Sequence, residues 1–175
     1  FFIDENQKVT LKDIGSEDLI KKFANEAGAG IYTFDLDSQF RCNGSDGYIA
    51  WLDRVLDIKD TANLDINGFD YDFKVFDDPN EMRKAIEEKN RINNKSRIVA
   101  GYCWEWPKAN RNKKDFADIQ IGDFKMSWNL ENGIWAIDPN SVNEAGCIHT
   151  SQGLEFDYVG LIIGEDLRYE HDKVI

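Results

Sequence analysis

Residues 146–164, Gly-Cys-Ile-His-Thr-Ser-Gln-Gly-Leu-Glu-Phe-Asp-Tyr-Val-Gly-Leu-Ile-Ile-Gly, constrain the fold of this chain more than any other stretch. Cys147 and Ile148 close a short apolar run, which reads as the tip of a buried strand. His149, Thr150, Ser151, Gln152 and Gly153 follow, five small or polar residues unsuited to a core. Tyr158 to Ile163 is then almost unbroken β-branched and aliphatic, the pattern of a strand buried on both faces of a parallel sheet. Open α/β sheets place ligands at polar loops of this kind, where one buried strand ends and another follows closely.

The upstream sequence repeats the alternation. Ser16 is an N-cap candidate with Glu17 and Asp18 behind it, Leu19, Ile20 and Phe23 form an apolar stripe, and Gly28 and Gly30 end the helix. Ile31 to Leu36 reads as a strand and Ser45 to Ile58 as an amphipathic helix. Tyr71 to Phe76 reads as a strand, Asp78-Pro79 opens a helix to about Ile92, and Arg97 to Cys103 is the next strand. Strands near 71–76, 97–101, 146–149 and 158–163 are therefore expected in one mainly parallel sheet with flanking helices, an α/β fold. Between 104 and 138 the pattern breaks. Pro107 excludes a central strand after Trp104-Glu105-Trp106, and Phe124–Trp128 with Ile134–Ile137 around Glu131-Asn132-Gly133 reads as a β-hairpin insertion.

With 42% hydrophobic and 13% aromatic residues in 175, the chain has the composition of a folded domain. No apolar run reaches the length of a membrane span. Cys42, Cys103 and Cys147 are scattered, which points to a reduced, cytoplasmic protein. Cys147 with His149 supplies only half a metal site. A net charge of −12 disfavours a surface that grips phosphates unless positive charge is gathered locally. Lys108, Arg111, Lys113 and Lys114 are the one basic cluster. With Trp104 and Trp106 it offers a place for single-stranded bases to stack, although the same residues suit a packed insertion beside a solvated loop.

Two carboxylates end the apolar segment Phe1-Phe2-Ile3. At a strand's carboxyl end Asp4 and Glu5 can both turn toward a cation, one holding Mg²⁺ and the next orienting water, although so short a string by itself suits a solvated acidic turn better. Arg41 is open to two readings as well, a phosphate contact or a partner for one of the many acids.

These strings carry a resemblance. His149-Thr150-Ser151-Gln152-Gly153-Leu154-Glu155-Phe156 resembles motif V of superfamily 1 helicases, Asp4-Glu5-Asn6-Gln7 resembles motif II, and Ser38-Gln39-Phe40-Arg41-Cys42 is similar to the motif IV region. From Asp4 to Gly164 the chain is most similar to the Schlafen-like DNA/RNA helicases, a branch of the P-loop ATPases. The resemblance implies a RecA-like P-loop NTPase fold. Residues 1–36 would be the tail of a first lobe, and 37–175 a second lobe that carries the insertion near 104–138 and stops before motif VI. It implies ATP and Mg²⁺ as cofactors of the full-length protein, with Asp4 on the metal, Glu5 activating water, and Gln7 and Arg41 on the γ-phosphate. Gln152, Gly153 and Glu155 fall on the nucleotide side, and His149 and Thr150 on the nucleic-acid strand. Single-stranded DNA or RNA and the upstream lobe of the same polypeptide are the implied partners.

The match has gaps. The sequence holds no GxxxxGK[ST] loop, so the main phosphate cradle is expected upstream of Phe1 and this chain alone is expected to be catalytically silent. Lys12-Asp13-Ile14-Gly15 substitutes poorly for the Gly-Asp-x-x-Gln of motif III. A degenerate ATPase fold kept as a protein-interaction or regulatory module is the alternative. A metal-dependent nuclease built on Asp4 and Glu5 lacks further acids and a lysine at useful spacing.

Overall fold

The computed structural model describes residues 2–4, 15–35, 46–69, 71–111, 113, 115–130 and 134–175. The chain divides into two compact units, Phe1–Gln39 and Phe40–Ile175. In the first, α1 (Glu17–Glu26) begins where the Ser16 hydroxyl accepts the Leu19 N–H at 3.2 Å, and the backbone leaves the helix at Gly28, φ +67°. Glu17 and Asp18 sit at its positive end, as the sequence requires. No residue of α1 is buried. Residues 31–35 have no regular secondary structure, contrary to the strand expected there; Leu36 lies outside the described residues.

The second unit is built on β1 (Ser96–Ala100), β4 (Ala145–Gly146) and β5 (Tyr158–Ile162), a parallel sheet in the order β4-β1-β5. Ile98 of the central strand faces Ala145 on one side and Gly160 on the other. Trp128 adds a parallel bridge outside Ala145. The mixed α/β character and the parallel pairing of three of the four anticipated strands agree with the sequence pattern.

Helix α3 (Pro79–Asn93) roofs one face of this sheet. Asp78 caps it by accepting the Asn80 N–H at 2.8 Å, Pro79 occupies its first turn, and Asn94 ends it at φ +58°. Met82 and Ile86 meet the row Ile98, Ala100, Gly160 and Ile162, all buried. Each large aliphatic side chain so buried contributes about 1.5–3 kcal/mol. Gly160 lets the helix come close: a Cβ there would lie 3.0 Å from Ile86 Cγ1.

The other face is covered unevenly. Over β4 lies Trp135, close enough that a Cβ on Gly146 would stand 2.4 Å from its ring. Over β1 the side chain of Arg97 is fully buried. On β5, however, Val159, Leu161 and the following Ile163 are 50%, 58% and 55% exposed. The expectation of a strand buried on both faces fails here because no described residue roofs the second side of β5.

Three further expectations need correction. Tyr71–Phe76 forms no strand and lies outside the sheet, because its aromatics pack on α2 (Asp46–Val55) instead: Tyr71 stacks on Tyr48 at 3.8 Å and Phe73 meets Trp51 edge-on at 5.1 Å. The strand expected to run through His149 stops at Gly146, and Ile148–Ser151 forms one helical turn, α4. The hairpin exists with another partner. β2 (Ile119–Ile121) pairs antiparallel with β3 (Phe124–Met126) across Gly122-Asp123, where Gly122 takes the φ of +59° that a two-residue turn demands. Ile134–Ile137 forms turns leading to a 3-10 segment, Pro139–Asn143, and Glu131–Gly133 lie outside the described residues. A short ladder of β6 (Tyr169–Glu170) and β7 (Lys173–Val174) closes the chain.

Candidate nucleic-acid interface

Beyond Ala100 the chain leaves the sheet through bends at Tyr102 and Trp104, and Tyr102, Trp104 and Trp106 all turn to one side. What they turn toward is Trp128, which is fully buried. Its ring lies 5.8 Å from Tyr102, 6.3 Å from Trp104 and 5.7 Å from Trp106, all tilted. Trp128 is fixed by its backbone, whose N–H reaches Asp118 Oδ2 at 3.2 Å, and by its bridge to Ala145. Aromatic pairs of this kind contribute about 0.5–1.5 kcal/mol each beyond the area they bury.

The second wall comes from β4, which runs parallel to β1 and ends on the same side of the sheet. Directly after it Cys147 begins α4. Thr150 Oγ1 accepts the Cys147 N–H at 2.9 Å and reaches Asn129 Oδ1, also at 2.9 Å. That cap fixes the turn and sets the His149 ring 6.2 Å from Tyr102. Burial pushes the Cys147 thiol up, but hydrogen bonds from Tyr102, Thr150 and Asn129 outweigh it and leave the thiol below its ordinary value. Tyr102 is shifted upward by burial and by the same contact with Cys147. The residue nevertheless remains 44% exposed.

Between these walls lies a cleft of about 480 Å³ lined by Tyr102, Trp104, Trp106, Arg111 and His149. Arg111 follows a turn in which Asn110 N–H bonds Pro107 O at 2.9 Å, and its guanidinium sits over the Trp106 ring, 4.4 Å from the centroid. Such a cation–π contact is worth about 0.5–1 kcal/mol at an exposed site. Tyr102 and Trp106 lie nearly parallel, 20° apart with centroids at 6.0 Å. Among the described residues the lining is thus aromatic with two basic side chains and no carboxylate. In an acidic chain, this is a local exception of the sort that a phosphate-bearing strand requires.

Of the residues singled out from sequence, Trp104, Trp106 and His149 come together here. Thr150 is half-buried and spends its hydroxyl on the cap. Lys113 is exposed, donates to Asn110 Oδ1 at 3.2 Å, and does not line the cleft. Gln152 ends α4 and Gly153 follows at φ +80° with open space where a side chain would be. Glu155 is exposed shortly after. Asp4 is exposed in the first unit. Glu5, Gln7, Arg41 and Lys114 lie outside the described residues, as do the Lys12-Asp13-Ile14 part of the motif III substitute and Cys42. Among the described residues no cluster of three or more His, Cys, Asp or Glu is placed to hold a metal, and no helix is long and apolar enough to cross a membrane.

Sequence reasoning missed Tyr102 and Trp128. The signal for Tyr102 was its period-two spacing from Trp104 and Trp106. For Trp128 there was none, since its partners are distant in sequence.

Comparison with known proteins gives a family match to the Schlafen group 3, DNA/RNA helicase domain, over residues 1–175. An uncharacterized protein of Saccharomyces cerevisiae is 26% identical over 154 residues, which cover 78% of this chain and 33% of that protein. The chain therefore spans about a third of the length of the curated relative it matches. No solved structure matches.

Proposed function

The chain belongs to the Schlafen group 3 DNA/RNA helicase domain family, and on that premise we propose that it is the motif II to motif V portion of an ATP-dependent nucleic-acid helicase or translocase. Its single-strand contact is the cleft at Tyr102, Trp106 and His149. The observation that carries this reading is the convergence of Trp104, Trp106 and His149 around one cleft beyond the carboxyl ends of β1 and β4. That is where parallel sheets bind ligands.

In this reading the fold is RecA-like, with residues 1–36 the tail of one lobe and 37–175 a second lobe. ATP with Mg²⁺ supplies the phosphoryl transfer to water that drives strand movement. The chain's own proposed contributions are Asp4 as the acid on the metal side, Glu5 as the acid that orients water, and Gln7 and Arg41 as donors to the γ-phosphate. Gln152, Gly153 and Glu155 would face the nucleotide. The left-handed backbone and open flank of Gly153 suit the close approach of a phosphate or ribose. His149 and Arg111 hold the strand while Thr150 keeps the turn beneath His149 in place. Trp104 and Trp106 supply the aromatic surface, and Lys113 and Lys114 supply further positive charge.

Titration of the full-length protein with single-stranded DNA and RNA tests the strand contact. Trp104→Ala with Trp106→Ala should weaken binding by about 1–3 kcal/mol for each base that no longer stacks, at nearly constant salt slope. Lys113→Ala with Lys114→Ala should lower the slope by about 1 for each phosphate no longer neutralised. Should neither pair matter while His149→Ala does, the insertion is structural and the strand runs over the motif V turn alone. Because the sequence holds no GxxxxGK[ST] loop, the 175-residue chain by itself is expected to turn over no ATP. Steady hydrolysis that Glu5→Gln abolishes would refute that expectation.

A further inference from the structure

We infer that the aromatic cleft selects guanine among unpaired bases, with Arg111 as the residue that reads it; the inference deepens the single-strand reading above and rests on it. The five lining residues divide cleanly by chemistry. Tyr102, Trp104 and Trp106 offer ring faces, which accept any base. Selectivity must come from the polar groups, and these are unbalanced.

Arg111 carries only donors, set in a planar fork, whereas His149 and the Tyr102 hydroxyl can each donate or accept. Among the described residues no carboxylate and no side-chain amide lines the space. A base that turns an exocyclic amino group toward the Arg111 fork therefore sets donor against donor, and an amino group buried in that way is penalised. Adenine presents such a group beside its N7, and cytosine presents one in the equivalent place. Guanine presents two adjacent acceptors, O6 and N7, at the spacing of a guanidinium fork. Thymine and uracil present a single acceptor there and only one ring to stack.

Arg111 is suited to reading rather than to loose attraction because its position is set in advance. The guanidinium rests 4.4 Å over the Trp106 indole, and the turn from Pro107 holds the backbone behind it. A side chain already held in place loses less freedom when a base arrives. Lysine cannot replace it, since an ammonium offers neither the fork nor the plane. At about 480 Å³ the cleft falls in the size range of small-molecule sites, ~300–1,000 Å³.

The test is anisotropy titration of the full-length protein with fluorescent oligothymidines that carry one central dG, dA or dC. An oligouridine series with the same substitutions separates RNA from DNA, and free GMP serves as competitor. The dG oligomer should bind about tenfold more tightly than the dA or dC oligomer, within the usual range for one bidentate base contact. Arg111→Lys should erase that preference while the salt slope stays unchanged, because the charge is kept; Trp106→Ala should weaken every oligomer. Equal affinity for all oligomers, still dependent on Trp106, would overturn guanine selection and leave the strand reading standing. So would a dG preference that survives Arg111→Lys. Binding of no oligomer at all would sink both. Competition by GMP as strong as that of the dG oligomer would make the cleft a mononucleotide site and overturn the inference.

Discussion

Arg97→Ala should cost about 3–5 kcal/mol of stability, a large part of the ~5–15 kcal/mol that holds a typical domain together. The guanidinium is fully buried in the second position of the central strand. It stays charged there, although burial lowers its affinity for the proton and Asp138 and Glu144 only partly restore it. Its donors are all spent. Nε reaches Ser141 Oγ at 2.7 Å, Nη1 reaches Asn90 Oδ1 at 2.7 Å and Ser96 O at 2.8 Å, and Nη2 reaches Ala136 O at 2.8 Å and Asp138 O at 3.0 Å. One side chain thus ties the end of α3, the start of β1 and the segment that covers β4. Removing it strands several buried acceptors at once, which is the expensive way to lose a hydrogen bond. Urea unfolding should show a lower midpoint at unchanged slope. Arg97→Lys should fall between, since a lysine cannot span the same acceptors. A loss below about 1 kcal/mol for Arg97→Ala would mean that water replaces the network at little cost.

Trp128→Ala should have a comparable effect on stability, about 3–5 kcal/mol, and should also remove strand binding, which Arg97→Ala need not do in the folded fraction. Trp128 does not line the cleft, yet Tyr102, Trp104 and Trp106 all pack on it. Without that support the three rings lose their common orientation, and a stacking surface depends on orientation more than on composition. The decisive comparison is with Trp128→Phe, which keeps an aromatic centre and should recover most of the stability and binding. Thermal melts and oligonucleotide titration of the same preparations would measure both. If the folded Trp128→Ala protein binds strands as tightly as before, the cleft is not organised from beneath.

How much of this was legible in the sequence follows from the range of each interaction. Helices α1 and α3 could be located because caps and stripes are local: Ser16, Asp78 and Pro79 lie within one turn of what they start. Three of the four strands expected in the sheet could be read from short apolar runs. The fourth, Tyr71–Phe76, alternates aromatic and charged residues, but its aromatics found α2, and the sequence has no sign for which of two apolar surfaces wins. The hairpin was displaced because Glu131-Asn132-Gly133 is the stronger turn signal on paper, whereas Gly122-Asp123 closes a tighter register between Ile121 and Phe124. In the site, Trp104, Trp106 and His149 were named from residue type and motif, and they meet. Arg111 was read only as one member of a basic run, because its distinction lies in resting on Trp106, a contact across a loop.

The order of the strands has a consequence for how the chain is made. β1 is the centre of the sheet, and both of its neighbours, β4 and β5, come later in the sequence. At ~5–20 residues per second of synthesis, β1 waits on the order of seconds with two bare edges before β5 is complete. What shields it meanwhile is local. α3 is finished just before β1 begins, Met82 and Ile86 are on hand for its apolar face, and Asn90 Oδ1 can take the Ser96 N–H at 3.1 Å. The helix–strand pair is thus the piece that can form first, and the rest of the sheet assembles on a strand whose apolar face is already covered.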